Sequence, residues 1–165
     1  FQLKPKKTFL DQKIIWQYWA QGVNHGQLPE IVNLCFKSVD KHCADYKIIR
    51  LDDSNINDYL DLPDFVYLKK QNPEFKHAFF ADLIRLALLD VYGGIWLDAT
   101  IMLTSPIKEN ITNSDFFMFQ RSSEAKNQRY WAEYNSDYFG FSFQYRNHKY
   151  LDFLNLRNFL KINDS

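Results

Sequence analysis

The sequence predicts an α/β fold, a mostly parallel sheet flanked by helices, and three observations carry that prediction. Through Leu51 the chain alternates strand, helix and strand signals. A long apolar helical pattern then ends at Gly93-Gly94, where a short buried strand begins. Aromatic residues make up 18% of the 165 residues, enough to fill a core and still line a pocket for flat bases or sugar faces.

Lys13 to Trp19 is a β-prone run that breaks at Gln21-Gly22, and it is read as the first strand. Pro29 suits a first helical turn, and Ile31, Leu34, Cys35 and Val39 recur at helical spacing up to His42. Tyr46 to Leu51 alternates as a second strand and ends in the turn-forming Asp52-Asp53-Ser54-Asn55. Together these form a βαβ unit, for which a right-handed crossover is the rule. Asn72 is expected to cap a long helix with Pro73 in its first turn, running towards Tyr92. Phe79, Phe80, Leu83, Ile84, Leu86, Ala87 and Val91 give that helix a broad apolar stripe, and Gly93-Gly94 supplies a left-handed exit. Ile95-Trp96-Leu97 reads as a buried strand ending at Asp98. Thr104-Ser105-Pro106 marks a turn, Phe116 to Phe119 a further strand, and Glu124 to Arg129 a polar loop. Phe139 to Tyr145 reads as another strand, and Asn147 as the cap of a last helix through Leu160.

Composition removes several classes of function. Twenty basic and twenty acidic residues give a formal net charge of zero, so no polybasic face for nucleic acid is expected. No run of about eighteen apolar residues occurs, so no transmembrane segment is expected. Cys35 and Cys43 form no CxxC pair and lie at no metal-ligand spacing, which predicts reduced thiols and a cytoplasmic protein. Contact with the inner face of the membrane stays open. Residues 1–165 fit a single domain, and an opening without Met or a signal-like apolar region suggests a segment of a longer chain.

The stretch from Ala81 to Thr100 carries the chemistry. Asp82 and Arg85 lie three apart on one helix face, and Asp98 stands where a strand finishes. In open α/β sheets ligands collect at the carboxyl ends of strands, because the loops diverge there and leave a crevice.

In these motifs the chain resembles the capsular polysaccharide synthesis proteins, relatives of glycosyltransferase family 32 and, more distantly, of the clostridial glucosylating toxins. The shared pattern is a helix carrying D-x-x-R, then G-G, an apolar strand and a D-x-D-like motif. Here it reads Asp82-Leu83-Ile84-Arg85, Gly93-Gly94 and Leu97-Asp98-Ala99-Thr100, with Ile15 to Gly22 resembling the first strand and nucleotide loop. The match spans roughly residues 13 to 106 and is looser beyond.

That resemblance implies a GT-A-like fold in a bacterial glycosyltransferase. It would move a sugar from a nucleoside diphosphate donor, with a UDP-sugar expected, to a capsular or other surface polysaccharide or oligosaccharide, retaining anomeric configuration. It implies that Trp19 stacks the donor base, that Asp82 accepts hydrogen bonds from sugar or ribose hydroxyls, and that Arg85 holds a donor hydroxyl or offsets the diphosphate charge. Asp98 would be the first acid of the D-x-D motif, touching ribose and donor sugar and supporting Mn²⁺ or Mg²⁺. Thr100 stands at the second-acid position, where a neutral hydroxyl is a poorer ligand for a hard cation than a carboxylate. Asp137, Tyr138 and Asn147-His148 fall where the family places donor-sugar and acceptor contacts. No residue stands out as catalytic base or nucleophile.

Each residue has a plainer reading. Asp82 and Arg85 make a surface ion pair worth roughly 0.2–0.5 kcal/mol in one alternative. Trp19 packs in the core beside Trp16 in another, and Lys76 and His77 are solvated surface. A non-catalytic nucleotide-sugar or carbohydrate-binding domain is the rival function, and a purely structural interaction domain the third.

Overall fold

Residues 3–9, 13–24, 26, 28–75, 77–113, 116–119 and 140–146 are described by the computed structural model. Every residue of β1 (Ile14–Tyr18) is buried, as a strand covered on both faces requires. On one side it pairs in parallel with β2 (Lys47–Leu51), Ile14 beside Lys47 and Tyr18 beside Leu51. On the other it pairs in parallel with β3 (Gly94–Leu97), Trp16 beside Trp96. β4 (Phe116–Phe119) and β5 (Gly140–Arg146) continue the sheet antiparallel from β3, giving the order β2-β1-β3-β5-β4. The sheet is therefore parallel over its first three strands and antiparallel at one edge, an α/β arrangement of Rossmann-like type.

Period-two alternation divides the core between two faces. Ile14, Trp16 and Tyr18 of β1, Ile49 and Leu51 of β2 and Trp96 of β3 pack with Phe80, Leu83, Ile84, Ala87 and Leu88 of α3 (His77–Tyr92). Ile15, Ile95 and Leu97 face the other way, against Val39 of α1 (Glu30–His42) and Cys43. The helix between β1 and β2 thus covers one face and the helix leading into β3 covers the opposite one.

Three sequence expectations need correction. In α1 the buried stripe is Val32, Cys35, Phe36 and Val39, whereas Ile31 and Leu34 are 59% and 50% exposed. The expected and observed stripes share Cys35 and Val39, and the buried one takes Val32 and Phe36 in place of Ile31 and Leu34. α3 begins at His77 and not at Asn72. The Asn72 carboxamide oxygen accepts the Glu74 N–H at 2.9 Å and its carbonyl accepts the Phe75 N–H at 2.9 Å. Asn-Pro here closes a turn, the common competitor of the helix cap for the same side chain. Phe79, expected in the apolar stripe, is 45% exposed. The sequence reading also lacks the 3₁₀ turn Ile56–Asp58 and α2 (Asp64–Lys70), which add Ile56 and Val66 to the α3 face of the core.

The exit of α3 is fixed by two glycines with different duties. Gly93 has φ +68° and donates its N–H to the Leu89 carbonyl at 3.0 Å, the left-handed helix ending the sequence predicts. Gly94 has φ +93°, and a Cβ there would lie 2.7 Å from the Ile14 carbonyl oxygen. Trp16 then donates its indole N–H to the Gly93 carbonyl at 2.9 Å. Helix end and strand start are thereby locked to the first residues of β1. The short α4 (Glu109–Thr112) follows the turn at Thr104-Ser105. The expected strands over Phe116 to Phe119 and Phe139 to Tyr145 match β4 and β5, while the loop from Glu124 and the helix from Asn147 lie outside the described residues.

Candidate functional site

The chain leaves β1 towards β2 on one side and returns through β3 on the other, so the sheet has its topological switch point between β1 and β3. In open α/β sheets ligands collect beside such a point, at the carboxyl ends of the strands. The residues immediately after the strands are Trp19 and Asp98. α3 runs into the amino end of β3, so its first half, with Asp82, lies towards those same carboxyl ends, and Arg85 stands at its middle.

Two of the four predicted donor residues, Arg85 and Asp98, meet at one indole, and a third, Asp82, is bonded to Arg85. Asp98 follows β3 directly, two residues beyond Trp96, which keeps it on the side of the strand that Trp96 takes. The Trp96 N–H donates to Asp98 Oδ1 at 2.7 Å. The Arg85 guanidinium carbon lies 5.7 Å from the centroid of the Trp96 ring, within cation–π range. Arg85 Nη2 in turn donates to Asp82 Oδ1. Arg85 is only 2% exposed, so this is no solvated surface pair.

The charges are in tension with their surroundings. Burial pushes the Asp98 carboxyl above its ordinary value, against the opposing pull of the Trp96 bond and the Arg85 charge. Burial also lowers Arg85, while Asp98 acts to raise it. A guanidinium starts so high that it stays cationic at neutral pH. The result is a buried guanidinium bonded to Asp82 and sharing the Trp96 indole with Asp98, one cationic group beside two carboxyls.

Trp19 is placed apart from these three. It is half-buried on the α1 face, packed with Val23 and Leu28 around Val32, Phe36 and Ala99. Thr100 is exposed, in a turn closed by the Ile101 N–H on the Asp98 carbonyl at 2.9 Å. Among the described residues no group of three or more His, Cys, Asp or Glu could enclose a metal ion. The Asp98-to-Thr100 turn offers one carboxylate and one hydroxyl, which fits magnesium or manganese only in the mode where substrate phosphates and water complete the shell. His77 is exposed at the start of α3, and Lys76, Asp137, Tyr138, Asn147 and His148 lie outside the described residues.

A second polar group on the same face escaped the sequence reading. Tyr18 donates its hydroxyl to Asp53 Oδ1, and Lys70 pairs with the same carboxylate while lying 4.2 Å over the Phe80 ring. Burial, then the bond to Asp53 and the charges of Asp53 and Asp52, push the Tyr18 phenol up. Its alternation with Trp16 is the signal that places Tyr18 on this face. Nothing in the spacing shows that Lys70 reaches Asp53. Trp96 was read only as core, although its offset of two from Asp98 puts both on one side.

A sheet that is parallel over β2, β1 and β3, with α1 on one face and α3 on the other, is a Rossmann-like α/β architecture. The chain belongs to the capsular polysaccharide synthesis protein family, whose model matches residues 1–162. Membership assigns it to polysaccharide biosynthesis and is compatible with a transferase. No curated protein and no solved structure matches the chain. No helix among the described residues is long and apolar enough to cross a membrane.

Proposed function

We propose that residues 1–165 act as one nucleotide-sugar-binding domain of a GT-A-type glycosyltransferase, related to glycosyltransferase family 32. In this reading it moves a sugar from a UDP-sugar to a capsular polysaccharide acceptor with retention. The observation that carries this reading is the convergence of Asp82, Arg85 and Asp98 around Trp96 beside the switch point.

Glycosyl transfer needs the leaving diphosphate neutralised as the anomeric bond breaks, in a place shielded from water. Arg85 is buried and permanently charged, so it meets the diphosphate without first shedding a large hydration shell. Asp82 and Asp98 accept hydrogen bonds from donor hydroxyls and fix the sugar against the arginine. Trp19, at the end of β1, stacks the base. A divalent cation on Asp98 and the diphosphate would add positive charge at the leaving group.

The exposed Thr100 at the second-acid position favours a second reading, a domain that binds nucleotide sugars without turnover. A thermal-shift panel of UDP, GDP and CMP sugars, with and without Mn²⁺, separates the two when joined to a hydrolysis and transfer assay. A ligand at about 100 times its dissociation constant adds roughly 2.7 kcal/mol, a shift of several degrees for a chain of this size. UDP-sugar binding with transfer is expected. Binding without either reaction favours the second reading, and no shift with any nucleotide sinks both. Arg85→Lys is the cleaner variant, since it keeps the buried charge that Arg85→Ala would strip from Asp82; it is expected to lose at least tenfold in donor affinity, about the worth of one charge-assisted hydrogen bond.

A further inference from the structure

We infer that Trp96 is a positioning residue of this site: its N–H holds the Asp98 carboxylate, its ring face holds the Arg85 guanidinium, and it thereby sets the spacing between acid and cation. The proposal rests on the donor-site reading and names the part that organises it. Both contacts come from one side chain and use different parts of it. The N–H lies in the plane of the indole and reaches Asp98 Oδ1 at 2.7 Å, while Arg85 lies off the ring at 5.7 Å from its centroid.

The ring itself has no room to move. Trp96 is 1% exposed, its backbone is paired with β1 on one side and β5 on the other, and its ring is embedded in the core beneath α3. A ligand that pulls on Arg85 or Asp98 therefore works against a fixed plate. Phenylalanine would keep the plate and remove the donor, which separates the two functions of the indole. Trp16 provides a matched control. It is paired with Trp96 in the sheet, is equally buried, and spends its own N–H on the Gly93 carbonyl at the far end of the strand.

The test uses the full chain labelled with ¹⁵N, as wild type, Trp96→Phe and Trp16→Phe, with UDP and Mn²⁺ as the titrant. In Trp96→Phe the Arg85 Nε–H resonance is expected to move, and UDP affinity to fall about tenfold, the equivalent of one charge-assisted hydrogen bond. Trp16→Phe should lower the melting temperature to a similar degree and change neither readout. An unmoved Arg85 signal with unchanged UDP affinity in Trp96→Phe overturns the proposal, as does the same response in both variants. Asp98→Ala gives a second line that leaves the indole in place: the Trp96 Nε1–H signal should shift upfield and exchange faster, and an unmoved signal overturns the bond. Failure of UDP to bind wild type contradicts the donor reading alone, and the resonances of Arg85 and Trp96 then decide the positioning role.

Discussion

Asp98 is a carboxylate kept where its charge is resisted. Burial raises its pKa, and neither the Trp96 bond nor Arg85 cancels that rise. A raised pKa in the folded chain means that the fold binds the proton more tightly than the unfolded chain does. Its contribution to stability is therefore fully present below the ordinary carboxylate value and is lost as pH rises through the folded one. Asp98→Asn is expected to melt higher than wild type at neutral pH while losing donor binding, with the gap in melting temperature closing in acid. A lower melting temperature for Asp98→Asn at neutral pH would show that burial is not the dominant influence on this group. Such a trade is common where a site is built from groups the fold would otherwise exclude.

Asp52 shows the opposite sign at the end of β2. Burial pushes its pKa up, but hydrogen bonds from the Ser54 hydroxyl and from the backbone of Ser54, Val23 and Asn55 outweigh it and hold the carboxyl low. Its stabilisation is present above the ordinary carboxylate range and is lost as pH falls through the lowered value. Asp52→Ala should cost roughly 2–3 kcal/mol at neutral pH, the order of a hydrogen bond to a charged group, because it takes the acceptor from donors of two loops. Denaturant unfolding at several pH values checks this, since the deficit should narrow towards acid. A deficit that does not depend on pH would contradict it.

At the scale of elements, the passage from α3 to β3 is the least replaceable part. A side chain at Gly94 meets both a positive φ and the Ile14 carbonyl at 2.7 Å. Gly94→Ala is expected to lose at least about 1–3 kcal/mol from backbone strain alone, seen as a fall of several degrees in melting temperature. An unchanged melting temperature would mean that the two strands can part at no cost. The five strands were legible in the sequence because apolar runs bounded by turn residues specify them locally. The cap of α3 was not, since Asn72 serves a turn and a helix start through the same oxygen. Nor was α2, whose apolar positions form one unbroken run, Phe65 to Leu68, in an element too short to show a period. Within the site, Asp82, Arg85 and Asp98 were legible as motifs, whereas Trp96 reads as core in a buried strand and its bond to Asp98 shows only in the structure. Lys70 meeting Asp53 depends on how α2 docks, which no local pattern encodes.

Over the whole molecule, one topological choice organises the rest. With β2 and β3 flanking β1, α1 and α3 cover opposite faces, and the switch point of the sheet falls between β1 and β3. Arg85 on the helix and Asp98 just after the strand, thirteen residues further in sequence, then meet over a single indole, with Asp82 bonded to Arg85 behind them. The most direct test is calorimetric titration of a UDP-sugar, with Mn²⁺ present, into wild type and Asp98→Asn. Saturable binding to wild type and none to a folded Asp98→Asn is the predicted result. Equal affinity for the two chains would contradict the assignment of this cluster as the sugar-nucleotide site.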